Sequence, residues 1–218
     1  TVNGGTLLVN GTLAAGGSVS VAGGATLGGT GAILSPVTVN NGAFLAPGAS
    51  IGTLTLGTPP TLNGTLLMEI NRTNTPNADQ LVGVGTLGGT LTVTNIGPPP
   101  QAGDTFTLLA PGPLSGSFSV TNLPPLAGGL AWDWNPTAGT LSVMSTLAAY
   151  PTNLAATVGA QGLSLSWPAT HLGWVLQMQT NGLSAGQWMD VAGSEQVNTT
   201  NFPAELANPA VFFRLRRP

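Results

Sequence analysis

The sequence predicts an all-β chain: a parallel β-helix over the first two thirds, then a small C-terminal β-sandwich. Three observations carry this. A near-repeat with steps of 19 and 18 residues opens the chain, turn residues interrupt every apolar stretch, and after residue 146 the texture changes to short period-2 segments. Domains are therefore expected at 1–146 and 147–218.

The repeat is read from Thr1-Val-Asn-Gly-Gly-Thr-Leu7, Ser20-Val-Ala-Gly-Gly-Ala-Thr-Leu27 and Thr38-Val-Asn-Asn-Gly-Ala-Phe-Leu45, with a looser copy at Thr61-Leu-Asn-Gly-Thr-Leu-Leu67. Each copy is a short strand, a Gly or Asn-Gly turn and a second short strand. A helix is excluded because Gly recurs every few residues and each interior Gly costs about 1 kcal/mol against Ala. In a β-helix the inward residues of one turn stack on those of the next, while corners use Gly or Asn to reach positive φ. The inward set is Val2, Leu7, Val9, Val19, Val21, Leu27, Ile33, Val37, Val39 and Leu45. A stack of antiparallel hairpins would use the same Asn-Gly and Gly-Gly pairs. The near-constant step and the common direction of the copies favour the β-helix.

Only 11 of 218 residues are charged, four Arg and seven acids with no Lys, and the first of them is Glu69. That is 5%, where soluble domains average about 25%. A net charge of −3 without Lys excludes a basic nucleic-acid binder, whose affinity comes mainly from phosphate neutralisation. The absence of Cys removes disulfide scaffolds and Cys-ligated metal sites. No apolar run approaches the ~18 residues of a membrane helix, so no membrane span is expected. The opening Thr-Val-Asn-Gly-Gly has no basic leader region, so the numbering is expected to begin within something larger or after processing. Across residues 1–68 only Thr, Ser and Asn hydrate the surface, and no charge blocks edge-to-edge strand pairing.

Val-Asn-Gly-Gly-Thr-Leu-Leu-Val-Asn-Gly-Thr-Leu (2–13), Leu-Gly-Gly-Thr-Gly-Ala-Ile (27–33) and Leu-Ala-Pro-Gly-Ala-Ser-Ile-Gly-Thr-Leu (45–54) carry a resemblance. Ala-Asp-Gln-Leu-Val (78–82), Gly-Asp-Thr-Phe-Thr-Leu-Leu (103–109) and Gly-Ser-Phe (116–118) continue it. Residues 1–145 are similar to the C-terminal end of the autotransporter-associated β-strand repeat family, long secreted or surface proteins of Gram-negative bacteria. The resemblance implies a right-handed parallel β-helix with an irregular terminal section. It also implies an extracellular or bacterial cell-surface location and a passenger or stalk role without shared catalytic residues.

Beyond the linker at 145–151, period-2 segments alternate with turn residues, the pattern of a β-sandwich. They include Leu163-Ser-Leu-Ser-Trp167, Gly173-Trp-Val-Leu-Gln-Met-Gln-Thr180, Gln187-Trp-Met-Asp-Val191 and Ala210-Val-Phe-Phe-Arg-Leu-Arg216. With the opening Pro151-Thr-Asn-Leu154, they resemble a short fibronectin type III-like module in which Trp167 is a core residue and Val211–Leu215 the last strand. The alternating strands, charged lumen and aromatic girdles of a membrane barrel are not found there.

Chemistry-bearing residues are few. His171, the single histidine, has no Gly-x-Ser-x-Gly elbow to serve and is expected in a loop. The acids Glu69, Asp79, Asp104, Asp133, Asp190, Glu195 and Glu205 neither pair closely nor repeat at the coil period, so glycoside hydrolysis is not expected. Glu69, Arg72 and Asp79 are expected to meet, at most, as a solvated ion pair. Thr90, Thr92 and Thr94 read as a solvated strand face. Gly28-Gly-Thr-Gly31 lacks the Asp of a calcium nonapeptide and the Lys of a phosphate loop. No catalytic residue, metal or cofactor is expected.

Three sets remain. Trp132 and Trp134 share one side of a strand, with Asp133 on the other. They either stack on sugar rings, making a carbohydrate-binding module for polysaccharide, or close the end of the β-helix or pack against the sandwich. Trp167, Trp174 and Trp188 are read as sandwich core. Val2, Leu7 and Val9 mark an open first coil that must be covered by upstream coils or by an identical subunit, and head-to-tail contacts of that kind build filaments. Arg214, Arg216 and Arg217 place three of four positive charges at the C-terminal end, as a charged strand edge or as an anchoring or sorting signal. The expected function is that of a non-enzymatic extracellular structural or adhesive protein.

Overall fold

The computed structural model describes residues 1–110, 114–148, 150, 152–160, 162–180, 188–203 and 210–217; Pro151, Gln187 and Glu205 of the sequence reading lie outside them. Among the described residues every regular element is a β-strand or a single 3₁₀ turn. The chain divides into two compact units, Thr1–Leu126 with Ala131–Met144, and Ala127–Leu130 with Ser145–Pro218.

The first unit contains a parallel β-helix. One of its sheets runs in the order Thr6–Leu8, Thr26–Gly29, Phe44–Pro47, Thr65–Ile70, Thr90–Asn95 and Val120–Asn122. A second stacks Thr12–Leu13, Ala32–Ile33, Thr53–Leu56, Gln80–Val82 and Leu109–Ala110, and a third Val19–Val21, Val37–Val39 and Thr61–Leu62. All of these neighbours are parallel, which excludes the hairpin stack. The register equates Thr6, Thr26, Phe44, Thr65, Thr90 and Val120, so successive coils take 20, 18, 21, 25 and 30 residues. Val2, Val21, Val39 and Leu62 are likewise equivalent, which confirms the four sequence copies.

Strand pleating turns alternate side chains inward, and stacking then lines up equivalent residues. Leu7, Leu27, Leu45, Leu66 and Leu91 form one column, buried from Leu27 onward. Val2, Val21, Val39 and Leu62 form another, and Leu13, Ile33 and Leu56 a third. Positive φ occurs only at Gly among the described residues, which corrects the expectation that Asn would share this role. The corner asparagines act through their side chains instead. Asn40 Nδ2 donates to Ser20 Oγ at 3.0 Å and to the Val21 carbonyl at 2.8 Å, and Asn10 Oδ1 accepts from Thr30 N–H at 3.2 Å. Gly31 meets a different demand: a Cβ there would collide with the Gly11 carbonyl of the neighbouring coil.

After the coils the pairing turns antiparallel. Thr140–Ser145 lies between Thr105–Thr107 and Leu130–Asn135, and Phe106, Leu141 and Val143 are buried along it.

The second unit carries two three-stranded antiparallel sheets in a sandwich-like arrangement. One orders Ala155–Gly159, Gly162–Ser166 and Thr199–Phe202; the other orders Met189–Asp190, Val175–Gln179 and Phe212–Arg216. Leu165, Trp167 and Leu176 form its core, with Leu163, Phe202, Phe213 and Leu215 packed against them. Trp174 is buried as expected, and the last strand runs one residue further along the chain than the sequence suggested.

Position along the leucine column sets the cost of truncation. Leu45→Ala, mid-column, is expected to lower unfolding stability by about 2–5 kcal/mol, and Leu7→Ala, with nothing stacked beyond it, by less than about 1 kcal/mol. Urea unfolding of the two variants checks this.

Candidate functional site

The first coil keeps the interior pattern without a neighbour on one side. Leu7, Leu8 and Leu13 are 42%, 46% and 38% exposed, whereas Leu27 and Ile33, the equivalents of Leu7 and Leu13, are fully buried. Val2 and Val9 are half-buried. Val9 donates its N–H to the Gly28 carbonyl at 2.8 Å and accepts from Gly31 N–H at 2.8 Å. Parallel pairing alternates the direction of backbone groups, so those of Leu8 turn to the open side. Residues 7–13 line a shallow apolar depression of about 290 Å³ there.

The aromatic strand lies over the last coil. Trp132 and Trp134 face Phe106 and Phe118, with ring centroids 6.1 and 6.0 Å apart in tilted pairs at 57° and 51°, within the contact range of aromatic pairs. Trp132 Nε1 donates to the Pro124 carbonyl at 2.8 Å. Both indoles are half-buried and Asp133 is exposed.

Glu69 and Asp79 do meet, as the sequence suggested, but in a groove where Asp79 is buried rather than as a solvated pair. Asp79 is 1% exposed. Its Oδ1 accepts from Gly52 N–H at 2.8 Å and its Oδ2 from Glu69 N–H at 2.7 Å, pinning a corner of one coil to a strand of the next. Asp79 N–H in turn donates to the Glu69 carbonyl at 2.8 Å. Ala46, Ser50, Leu67, Glu69, Asp79 and Thr94 line a groove of about 200 Å³. Burial pushes the Asp79 carboxyl up to about 6, against the two N–H donors, and the Glu69 charge adds to the rise.

Arg72 does not join this pair, contrary to expectation. Its Nε lies 2.8 Å from Asp104 Oδ2, and its Nη2 donates to Gln101 Oε1 at 2.7 Å. Burial would raise the Asp104 carboxyl, but the Arg72 hydrogen bond, Gln101 N–H and the Arg72 charge hold it below its ordinary value. The interaction partner 32 residues away was hidden because two corner insertions, not a sequence motif, bring these loops together.

In the second unit Arg214 and Arg216 share the outer side of the last strand, as alternation predicts. Arg214 Nε donates to Gln177 Oε1 at 2.8 Å, and its guanidinium lies 4.2 Å from the Trp188 ring centroid. Trp188 is thus a half-buried platform for Arg214 and stands apart from the Leu165–Trp167–Leu176 core. Gln177 Nε2 donates to Asp190 Oδ1 at 2.6 Å, and Arg216 Nη2 lies 3.3 Å from Asp190 Oδ2. The Gln177 hydrogen bond, then Arg216, lower the Asp190 carboxyl. Arg217 is exposed. His171 lies, as expected, in the connection between Gly162–Ser166 and Val175–Gln179, where it is buried in the 3₁₀ turn Ala169–His171. Its Nε2 donates to the Tyr150 carbonyl at 2.9 Å, its Nδ1 accepts from Thr170 Oγ1 at 3.1 Å, and its ring packs on Trp174. Neither nitrogen meets a serine or an acid.

No family model, curated protein or solved structure matches the chain.

Two outcomes follow from these geometries. The protonated form of Asp79 contributes stability fully present below its unfolded pKa of 3.8 and lost as pH rises through about 6. Unfolding free energy is therefore expected to fall by roughly 3 kcal/mol across that window, and Asp79→Asn to flatten the slope; urea titrations from pH 3 to 7 read both. The Asp104 contribution runs the other way, being lost as pH falls. Trp132→Ala is expected to destabilise the first unit by about 3–5 kcal/mol, as loss of a packed aromatic does. A variant that stays folded while losing affinity for polysaccharide in titration would instead assign Trp132, Asp133 and Trp134 to glycan recognition.

Proposed function

We propose that this chain is a non-enzymatic structural protein of the bacterial exterior, a β-helix stalk that stacks onto further β-structure, with its sandwich-like second unit serving anchoring or secretion. The observation that carries the proposal is the set of apolar columns. They run through the coils without a charged interruption, end under an aromatic hairpin on one side and stand open on the other. Such a stack is held by backbone ladders and apolar contact over its length and requires no ligand for stability. Its chemistry suits load-bearing better than turnover: the described acids and the single histidine are engaged in structural bonds or scattered over the surface. The resemblance of residues 1–145 to autotransporter-associated repeats, and of the C-terminal part to a fibronectin type III-like module, supports placement on or outside the cell. Arg214, Arg216 and Arg217 lie at the second unit's exposed strand edge, where an anchoring or sorting partner would have access.

Antibody labelling of intact cells that make the chain is expected to decorate the surface. A purely cytoplasmic signal, or turnover of any glycan by the purified chain, would overturn the reading.

A further inference from the structure

In a protein of net charge −3, three of the four positive charges gather on or beside one sheet of the second unit. Pleating puts Gln177 and Gln179 on one face of their strand, and the register sets Arg214 and Asp190 on either side of Gln177. Gln177 is 6% exposed and forms the floor of this face. Its amide locks both neighbours, accepting from Arg214 Nε and donating to Asp190 Oδ1.

Arg214 is thus fixed twice, through Nε by Gln177 and across its plane by the Trp188 ring 4.2 Å away. Its terminal nitrogens, Nη1 and Nη2, donate to nothing among the described residues. A guanidinium held in this way presents a planar fork that matches both oxygens of one carboxylate. Arg216, two residues along on the same side, uses one nitrogen on Asp190 Oδ2. Asp190 is exposed, and a carboxylate keeps acceptor sites beyond its two bonds. The face therefore offers donors for an anion next to an acceptor that needs a hydroxyl. Gln179, opposite Trp188 by register, is 1% exposed, and neither of its amide atoms has a hydrogen-bond partner among the described residues. A buried amide in that state is costly, an independent sign that the residues of this face do not complete one another.

We infer that this face binds the uronate units of an acidic polysaccharide, with the Arg214 fork on the carboxylate and Asp190 accepting from a neighbouring hydroxyl. The inference names a partner for the anchoring role proposed above and rests on that reading. An acidic peptide carries its carboxylates without adjacent hydroxyls and meets Asp190 as repulsion.

Titration of the whole chain with polygalacturonate, its methyl ester and polyglutamate tests this. Polygalacturonate is expected to bind, and more weakly as salt is raised. The methyl ester, the same frame without charge, is expected not to bind. Polyglutamate is expected to bind at least about tenfold more weakly than polygalacturonate, and Asp190→Asn to narrow that gap. Arg214→Lys keeps the charge and removes the fork, so polygalacturonate affinity is expected to fall at least about tenfold, whereas Arg72→Lys in the first unit leaves it unchanged. Slow hydrogen exchange at Leu165 and Leu176 shows that the second unit is folded in each variant. Should Arg214→Lys lose that protection, the Asp190→Asn comparison decides.

Absence of polygalacturonate binding, equal binding of polyglutamate, full affinity in a folded Arg214→Lys variant, or a gap unchanged by Asp190→Asn would overturn the inference. Labelled cell surfaces together with a chain that fails to bind polygalacturonate remove this site and leave the exterior reading intact. Binding by a chain confined to the cytoplasm does the reverse.

Discussion

Coil-bearing structure of this kind depends on one distance, the separation of about 4.8 Å between neighbouring parallel strands. At that spacing an inward side chain touches its own equivalents on either side, so one repeated position becomes a continuous column, as from Leu27 to Leu91. The same closeness brings the corner backbone of one coil against that of the next, which is why Gly31 and Gly64 have no Cβ. The abundance of Gly and the scarcity of charge thus share a cause. Close backbone approach demands the first, and the apolar columns leave the second no place between coils.

The constraint also decides what the sequence discloses. Where coils are short and regular, spacing of Val2, Val21 and Val39 shows the stack directly, because register and sequence step coincide. Once coils lengthen, equivalent residues such as Thr65 and Thr90 stand 25 apart with no visible period, and the pattern fades although the geometry persists. The Asp79 staple was illegible for that reason: its partners are backbone N–H groups at Gly52 and Glu69, which leave no trace in side-chain type. Trp132 and Trp134 were legible as a pair on one face. Their placement over Phe106 and Phe118 depends on an antiparallel return that no local spacing encodes.

The few charges act as local fasteners rather than as a field. Arg72 and Asp104 join loops of successive long coils, and Arg216, Asp190, Gln177 and Arg214 form a chain of polar contacts across one small sheet. Solvent screens such surface contacts, so cohesion rests on the columns and ladders.

The lengthening of the coils is not spread around the turn. Its extra residues enter between the first and second sheets, from Leu8 to Thr12 and Gly29 to Ala32 in the early coils, to Ile70–Gln80 and Asn95–Leu109 in the late ones. The corners between the other sheets stay short throughout. One edge of the unit therefore grows an irregular ridge while the rest keeps a uniform texture. Exposed residues exchanged on that ridge leave the columns untouched, whereas Asp79, Phe106 and Leu108 within it are buried and fixed. The fold thus separates what must stay constant from what is free to vary, and gives a monotonous scaffold one distinctive edge.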